Sequence, residues 1–166
     1  MDPVTEIDHE SFSYNASSPD ELALVNGARF LGVTFLGRDE GQLDSSDTFN
    51  IDFKGKKRSY TLLNTIEFSS ARKRMTSVFR DLSNGQIIVM CKGADSALLP
   101  LLRDKESAQV RSLTDKSVAF MNDFAKEGLR TLLIVEKTMS EAEYARWSAS
   151  YSAAVSSMVD RDARVE

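Results

Sequence analysis

The spacing of the apolar residues switches repeatedly between a helical period and a period of two along the chain, and nothing else in the sequence limits its folds so tightly. Before Val33 the spacing is helical. From Val33 to Met90 it is two, as in Val33-Thr34-Phe35, in Phe49, Ile51 and Phe53, and in Tyr60, Leu62 and Asn64, each run flanked by turn residues. After Met90 helical spacing returns, broken by one strand. Helix, several strands, two helices, strand, helix predicts an α+β fold: an antiparallel β-sheet flanked by helices.

The ends of the elements are marked by local chemistry. Ser18, Pro19 and Glu21 read as N-cap, first helical position and capping box, so the first helix is expected over 19–31 with Gly32 as its stop. Ser83-Asn84-Gly85 predicts a hairpin joining strands Met75–Asp81 and Gln86–Cys91. The second strand is apolar on both faces, which predicts a central place in the sheet. Helices are expected from Ala94 to Leu102 and from Ser107 to Lys126, the latter with Val110, Leu113, Ser117, Phe120, Met121 and Phe124 on one side and Gly128 at its end. A strand over 129–136 precedes a last helix. That helix opens on a Ser140/Glu143 capping box and carries a stripe of Tyr144, Trp147, Tyr151, Ala154 and Met158, read as core packing.

At 166 residues and 42% hydrophobic composition, one ordinary domain accounts for the chain: 1–13 as a flexible segment or linker and 14–166 as a single domain. No apolar run approaches the roughly 18 residues of a membrane span, and the acidic start MDPVTEIDHE is unlike a signal peptide. The single cysteine, Cys91, excludes an internal disulfide. The single histidine, His9, argues against multi-histidine zinc sites and a Ser-His-Asp triad. Neither a G-x-x-x-x-G-K-[ST] loop nor a G-x-G-x-x-G turn is present.

Charge is unevenly spread. Residues 54–80 hold eight Lys and Arg against Glu67 alone, a net of +7 inside a chain whose net charge is −4. Lys54, Lys56, Lys57 and Arg58 read either as a contact for an anionic ligand or as a solvated strand edge where lysines discourage aggregation. The acidic remainder and the lack of a recognition motif speak against nucleic acid.

Four short segments stand in a fixed order: Ser18-Pro19-Asp20-Glu21-Leu22-Ala23-Leu24-Val25, Glu67-Phe68-Ser69-Ser70-Ala71-Arg72-Lys73-Arg74-Met75, Cys91-Lys92-Gly93-Ala94-Asp95 and Glu127-Gly128-Leu129-Arg130-Thr131-Leu132. Together, over about 14–161, they closely resemble the nucleotide-binding (N) domain of P-type ATPases, in the form of the phospholipid-flippase branch rather than of the cation pumps.

The resemblance implies an ATP pocket. Phe68 matches the family's adenine-stacking aromatic; without the resemblance it reads as a buried strand residue. Glu21 matches the carboxylate that accepts from the adenine amino group, and its other reading is the capping box, with Asp20 then supporting the helix start. Lys92 and Gly93 match the lysine at the pocket and a point of close backbone approach; otherwise Lys92 is a strand-end lysine in solvent. Lys73 matches a lining lysine, and in an extended strand it faces away from Arg72 and Arg74; the bland alternative is a basic edge. Arg130 matches the arginine on the phosphate chain, for which a guanidinium is suited. Ser70, Met75 and Cys91 correspond to lining positions, and Cys91 reads equally as a small buried residue on its strand.

The family's phosphorylated aspartate lies in Asp-Lys-Thr-Gly. The nearest string here, Asp115-Lys116-Ser117-Val118, lacks Thr-Gly and falls in an expected helix. The resemblance therefore implies an excised domain that binds ATP and does not hydrolyse it. The rest of a parent chain is implied with it: a phosphorylation domain that holds most of the Mg²⁺, an actuator domain, membrane helices, an accessory subunit, and a place on the cytosolic face of a membrane.

Overall fold

A computed structural model describes residues 13–39, 47–102 and 108–156; the Met1–His9 segment and Met158 lie outside these residues. Six strands follow one another in the sheet in chain order, β1-β2-β3-β4-β5-β6. With four α-helices among the described residues, the class is α+β as the periodicity indicates. The chain divides into two compact units, Met1–Ser59 and Tyr60–Glu166, with β3 beginning in the first and continuing in the second.

In the first unit α1 (Pro19–Phe30) starts where Ser18 Oγ accepts the Glu21 N–H at 3.2 Å. It stops at Gly32, whose φ of +87° is open to glycine at little cost. β1 (Val33–Asp39) pairs antiparallel with β2 (Thr48–Phe53), with a register shift between Phe35 and Gly37. Lys54 and Gly55 both have positive φ, 53° and 83°, the geometry of a tight two-residue hairpin turn leading into β3 (Lys56–Ile66). The Asp52 carboxylate accepts the Gly55 N–H at 2.8 Å, and Gly32 C=O accepts the Lys54 N–H at 2.9 Å, tying the hairpin tip to the end of α1. Lys56, Lys57 and Arg58 are exposed.

In the second unit β3 pairs with β4 (Arg74–Asp81), β4 with β5 (Ile87–Gly93) and β5 with β6 (Leu133–Met139), all antiparallel. The β4–β5 hairpin closes as the Asn-Gly signal requires. Gly85 turns with φ +73°, and the buried Asp81 carboxylate takes the Ser83 N–H and hydroxyl at 2.8 and 2.6 Å. Val78, Ile87 and Leu98 are fully enclosed, with Cys91 and Met121 beside them in the core.

Several expectations are corrected. Leu62 and Asn64 do not share a face, because the register shifts between them, opposite Phe79 and Val78. β5 does take the central place expected of it, between β4 and β6, although Met90 on one face is exposed. The helix expected over 94–102 is α2 (Asp95–Leu98) followed by one 3-10 turn at Leu99–Leu101; Pro100 has no N–H to continue an α-helix. The strand expected over 129–136 runs from Leu133 to Met139, the stretch that matches Gly93 to Ile87 residue for residue. On α3 (Ala108–Lys126) the expected inner face is mostly open: Met121 is buried, but Val110, Leu113, Phe124 and Phe120, the last 62% exposed, are not. Thr114 and Val118, seven and three residues before Met121, are the further half-covered positions.

α4 (Glu141–Val155) carries the full capping box at Ser140 and Glu143. Its Tyr144, Trp147, Tyr151 and Ala154 are half-buried as a packing stripe. The Tyr144 hydroxyl donates to Asn64 Oδ1 at 2.7 Å and that of Tyr151 to the Thr65 carbonyl at 3.3 Å, laying the helix along β3.

Candidate functional site

The ladder Arg74↔Gly93↔Leu133 brings the start of β4, the end of β5 and the start of β6 to one end of the second unit's strands. The loop 67–73, the Lys92-Gly93 strand end and the segment 129–132 therefore gather there. Of the residues singled out in the sequence, Phe68, Ser70, Lys73, Met75, Lys92, Gly93 and Arg130 belong to this end. Asp20 and Glu21 lie in the first unit, in the first turn of α1, where both are half-buried.

The two faces at this end differ. Met75, Lys92 and Ile134 stand side by side on one face, with Ile134 exposed. Thr76, Cys91 and Val135 form the matching row on the other. Cys91 is buried there, with the Thr76 hydroxyl 3.2 Å from its sulfur, and it borders a cleft of about 540 Å³ whose further walls include Leu101, Leu102, Val110 and Thr114. Cys91 thus shares its strand with Lys92 but not its face.

Phe68 is 61% exposed in the loop after β3. A large aromatic ring in water on a loop end is unlike the buried strand residue that its neighbourhood alone would suggest, and it leaves a face free for a planar partner. The loop beneath it is tightly tied. Ser69 Oγ accepts the Arg72 N–H at 3.2 Å and Ser69 C=O accepts the Lys73 N–H at 2.8 Å. The Arg72 guanidinium donates back to the Glu67 carbonyl, and Arg74 Nη1 donates to the Arg72 carbonyl at 3.3 Å.

Lys73 departs from its expectation. It precedes β4 and has φ +51°, so alternation along an extended strand does not set its direction; it is exposed because the turn at 70–72 carries it there, while Arg72 is only 8% exposed. Its carbonyl accepts the Ala94 N–H at 3.0 Å. Gly93 answers a need for space, since a Cβ built on it would stand 2.5 Å from Lys73 O and 2.7 Å from Arg74 Cβ. The backbone that approaches Gly93 is the chain's own.

Lys92 is half-buried on its strand, with Met75 and Ile134 as its cross-strand neighbours. Arg130 and Ser70 are exposed. A basic lining beside an exposed aromatic suits a ligand that is planar at one end and anionic at the other. Two participants escape a sequence reading: Ile134, which alternation through the apolar run 132–135 would have placed beside Lys92, and Arg72, which nothing distinguishes within Arg72-Lys73-Arg74.

At the opposite end of these strands, ion pairing and capping shift the protonation of three side chains. The Glu141 carboxylate takes hydrogen bonds from Arg80, which lowers the Glu141 pKa and raises that of Arg80. Glu143 is lowered by the hydrogen bond from the Ser140 backbone and then by that from its hydroxyl. Among the described residues no group of three or more His, Cys, Asp or Glu side chains is placed to hold a metal ion. No helix there is long and apolar enough to cross a membrane.

Residues 6–163 match the family model described as P-type ATPase, cytoplasmic domain N. The chain is 39% identical over 153 residues to phospholipid-transporting ATPase DNF1 of Chaetomium thermophilum, covering 92% of this chain and 9% of that one. It is 37% identical to phospholipid-transporting ATPase DRS2 of Saccharomyces cerevisiae, over 94% of this chain and 11% of that one. To phospholipid-transporting ATPase 6 of Arabidopsis thaliana it is 34% identical, over 98% of this chain and 13% of that one. The chain thus spans about a tenth of the length of these relatives. With four ordered motifs, the α+β sheet and a model match over nearly its whole length, the chain belongs to the family of P-type ATPase cytoplasmic N domains.

Proposed function

We propose that residues 14–166 form one nucleotide-binding domain that holds ATP by its adenine and leaves the phosphates accessible, within a parent enzyme that translocates phospholipid. The exposed Phe68 ring carries the reading: it stands on a hydrogen-bonded loop that leads into β4, whose Met75 pairs with Lys92. Stacking of a base on such a ring contributes about 1 to 3 kcal/mol. Glu21 accepts from the adenine amino group, with Asp20 beside it; Lys92, Lys73 and Arg130 meet the phosphate charge; Ser70, Met75 and Gly93 complete the surroundings, while Cys91, buried on the other face, supports the strand from the core.

In the parent, the domain presents the γ-phosphate to an aspartate on a separate phosphorylation domain, at the cytosolic face of a membrane, with an actuator domain and an accessory subunit as further partners. Its own contribution is positioning. Mg²⁺ is bound mainly by the phosphorylation domain of the parent. Without Asp-Lys-Thr-Gly the chain alone binds ATP and releases no phosphate, with Kd on the order of a millimolar.

An amide-resolved NMR titration with ATP, with and without Mg²⁺, tests this. Shifts at Glu21, Phe68, Lys92 and Arg130 that vanish in Phe68→Ala and change little with Mg²⁺ support it. A well-dispersed spectrum in which nothing moves at millimolar ATP overturns it.

A second reading concerns the first unit. Phe30 is 91% exposed at the end of α1, beside a hairpin tip whose Lys54 and Arg58 lie 5.8 and 5.5 Å from the Phe53 ring centroid. Exposed aromatic and basic residues together suit an anionic surface. Co-sedimentation with phosphatidylserine vesicles that is lost in Lys56→Glu/Lys57→Glu while ATP binding persists would favour it; equal sedimentation of both proteins would remove it.

A further inference from the structure

We infer that Arg72 is the positioning residue that holds Phe68 ready for the nucleotide base. The inference rests on the nucleotide-binding reading and goes beyond it, since Arg72 itself is assigned no ligand contact. Three observations converge on it. Arg72 is 8% exposed, although an arginine stays charged in a protein and its burial is costly unless the charge is used. No carboxylate pairs with it among the described residues; its guanidinium instead donates to the carbonyl of Glu67, the residue next to Phe68. Its backbone closes the same loop from the other side, the N–H on Ser69 Oγ and the carbonyl under Arg74 Nη1. Phe68 and Ser69 are thus bracketed between two contacts of one residue.

The ring itself is exposed and its own packing cannot hold it. Its readiness depends on the loop. If losing the guanidinium leaves the loop in the binding geometry about one fifth of the time, apparent affinity falls about fivefold, because only the competent fraction binds. That loss is the same for AMP and ATP, since it acts through the base.

The test titrates AMP and ATP into the wild-type chain, Arg72→Met, Arg72→Lys, Phe68→Ala and Phe68→Ala/Arg72→Met, and measures ¹⁵N order parameters of residues 67–70 in each without nucleotide. Arg72→Met is expected to weaken both nucleotides about fivefold and to drop the order parameters from about 0.85 to below about 0.6. Arg72→Lys, which keeps a charged donor, restores both, and Arg72→Met adds no further loss in the Phe68→Ala background. An unchanged loop and affinity in Arg72→Met overturns the inference. So does an equal loss in the presence and absence of the Phe68 ring, or a loss for ATP much larger than for AMP, which would mean that the charge acts on phosphate. If the wild type binds neither nucleotide, the nucleotide reading fails, and the order parameters still decide what Arg72 does. Arg72→Gln repeats the test should the Met variant not fold.

Discussion

Gly93 lies against the backbone of Lys73 so closely that a Cβ would come within 2.5 Å of the Lys73 carbonyl oxygen. That oxygen also accepts the Ala94 N–H at 3.0 Å, so the end of β5 and the turn before β4 are locked where the proposed phosphate-facing residues meet. Gly93→Ala is expected to cost about 2 kcal/mol, because backbone rather than a flexible side chain must give way. In a domain of this size that is a fall in Tm of about 4–8 °C, measurable by thermal unfolding. An unchanged Tm would mean that the turn at 70–73 yields easily.

Phe68→Ala should separate stability from binding. The ring is mostly in water, so its removal should leave stability within about 0.5 kcal/mol. ATP affinity should fall by a factor on the order of 5 to 150, the equivalent of about 1 to 3 kcal/mol of lost stacking. Urea unfolding beside a nucleotide titration reads both. A large loss of stability with affinity retained would return Phe68 to the role of a core residue.

Tyr14 guards the open edge of β1. Its hydroxyl accepts the Phe35 N–H at 2.9 Å and donates to the Phe35 carbonyl at 3.1 Å, satisfying both backbone groups that would otherwise template another strand. Tyr14→Phe keeps the ring and deletes the hydroxyl, and should destabilise the fold by about 1–2 kcal/mol. Hydrogen exchange at the Phe35 amide should speed up with it; slow exchange in the variant would show that the bond is not what protects this edge.

Acid should weaken the start of α4. The Glu143 pKa is held below its ordinary 4.5 by the Ser140 backbone N–H, and that of Glu141 by Arg80. Depressed folded-state values mean that this stability is fully present above pH 4.5 and is lost as pH falls through the lower folded pKa. The stability difference between wild type and Glu143→Ala should therefore shrink steadily below pH 4.5, and a difference that grows there would reverse the sign of the linkage. Both carboxylates are in solvent, so the effect is small and salt-sensitive.

Local chemistry alone settled the α+β class, the Ser18 and Ser140 helix starts, the Gly32 stop, the Asn84-Gly85 turn and the four motifs that carry the family likeness. These features are legible because a cap, a turn or a change of period acts over four to seven residues and needs no distant partner. Tertiary structure decided what depends on partners far along the chain. The register shift that puts Leu62 and Asn64 on opposite faces is set by β4, and the limits of β6 by its ladder with β5. Which side of α3 is covered depends on what lies against it, so an apolar stripe containing Phe120 could stay open while Met121 is enclosed. At the candidate site the same division holds. Phe68, Lys92 and Arg130 were legible as motif residues, whereas the buried Arg72 and the left-handed Lys73 emerge only once the 67–73 loop closes on itself. A buried charge is recognised by its surroundings, and those are made by residues that the chain brings together only on folding.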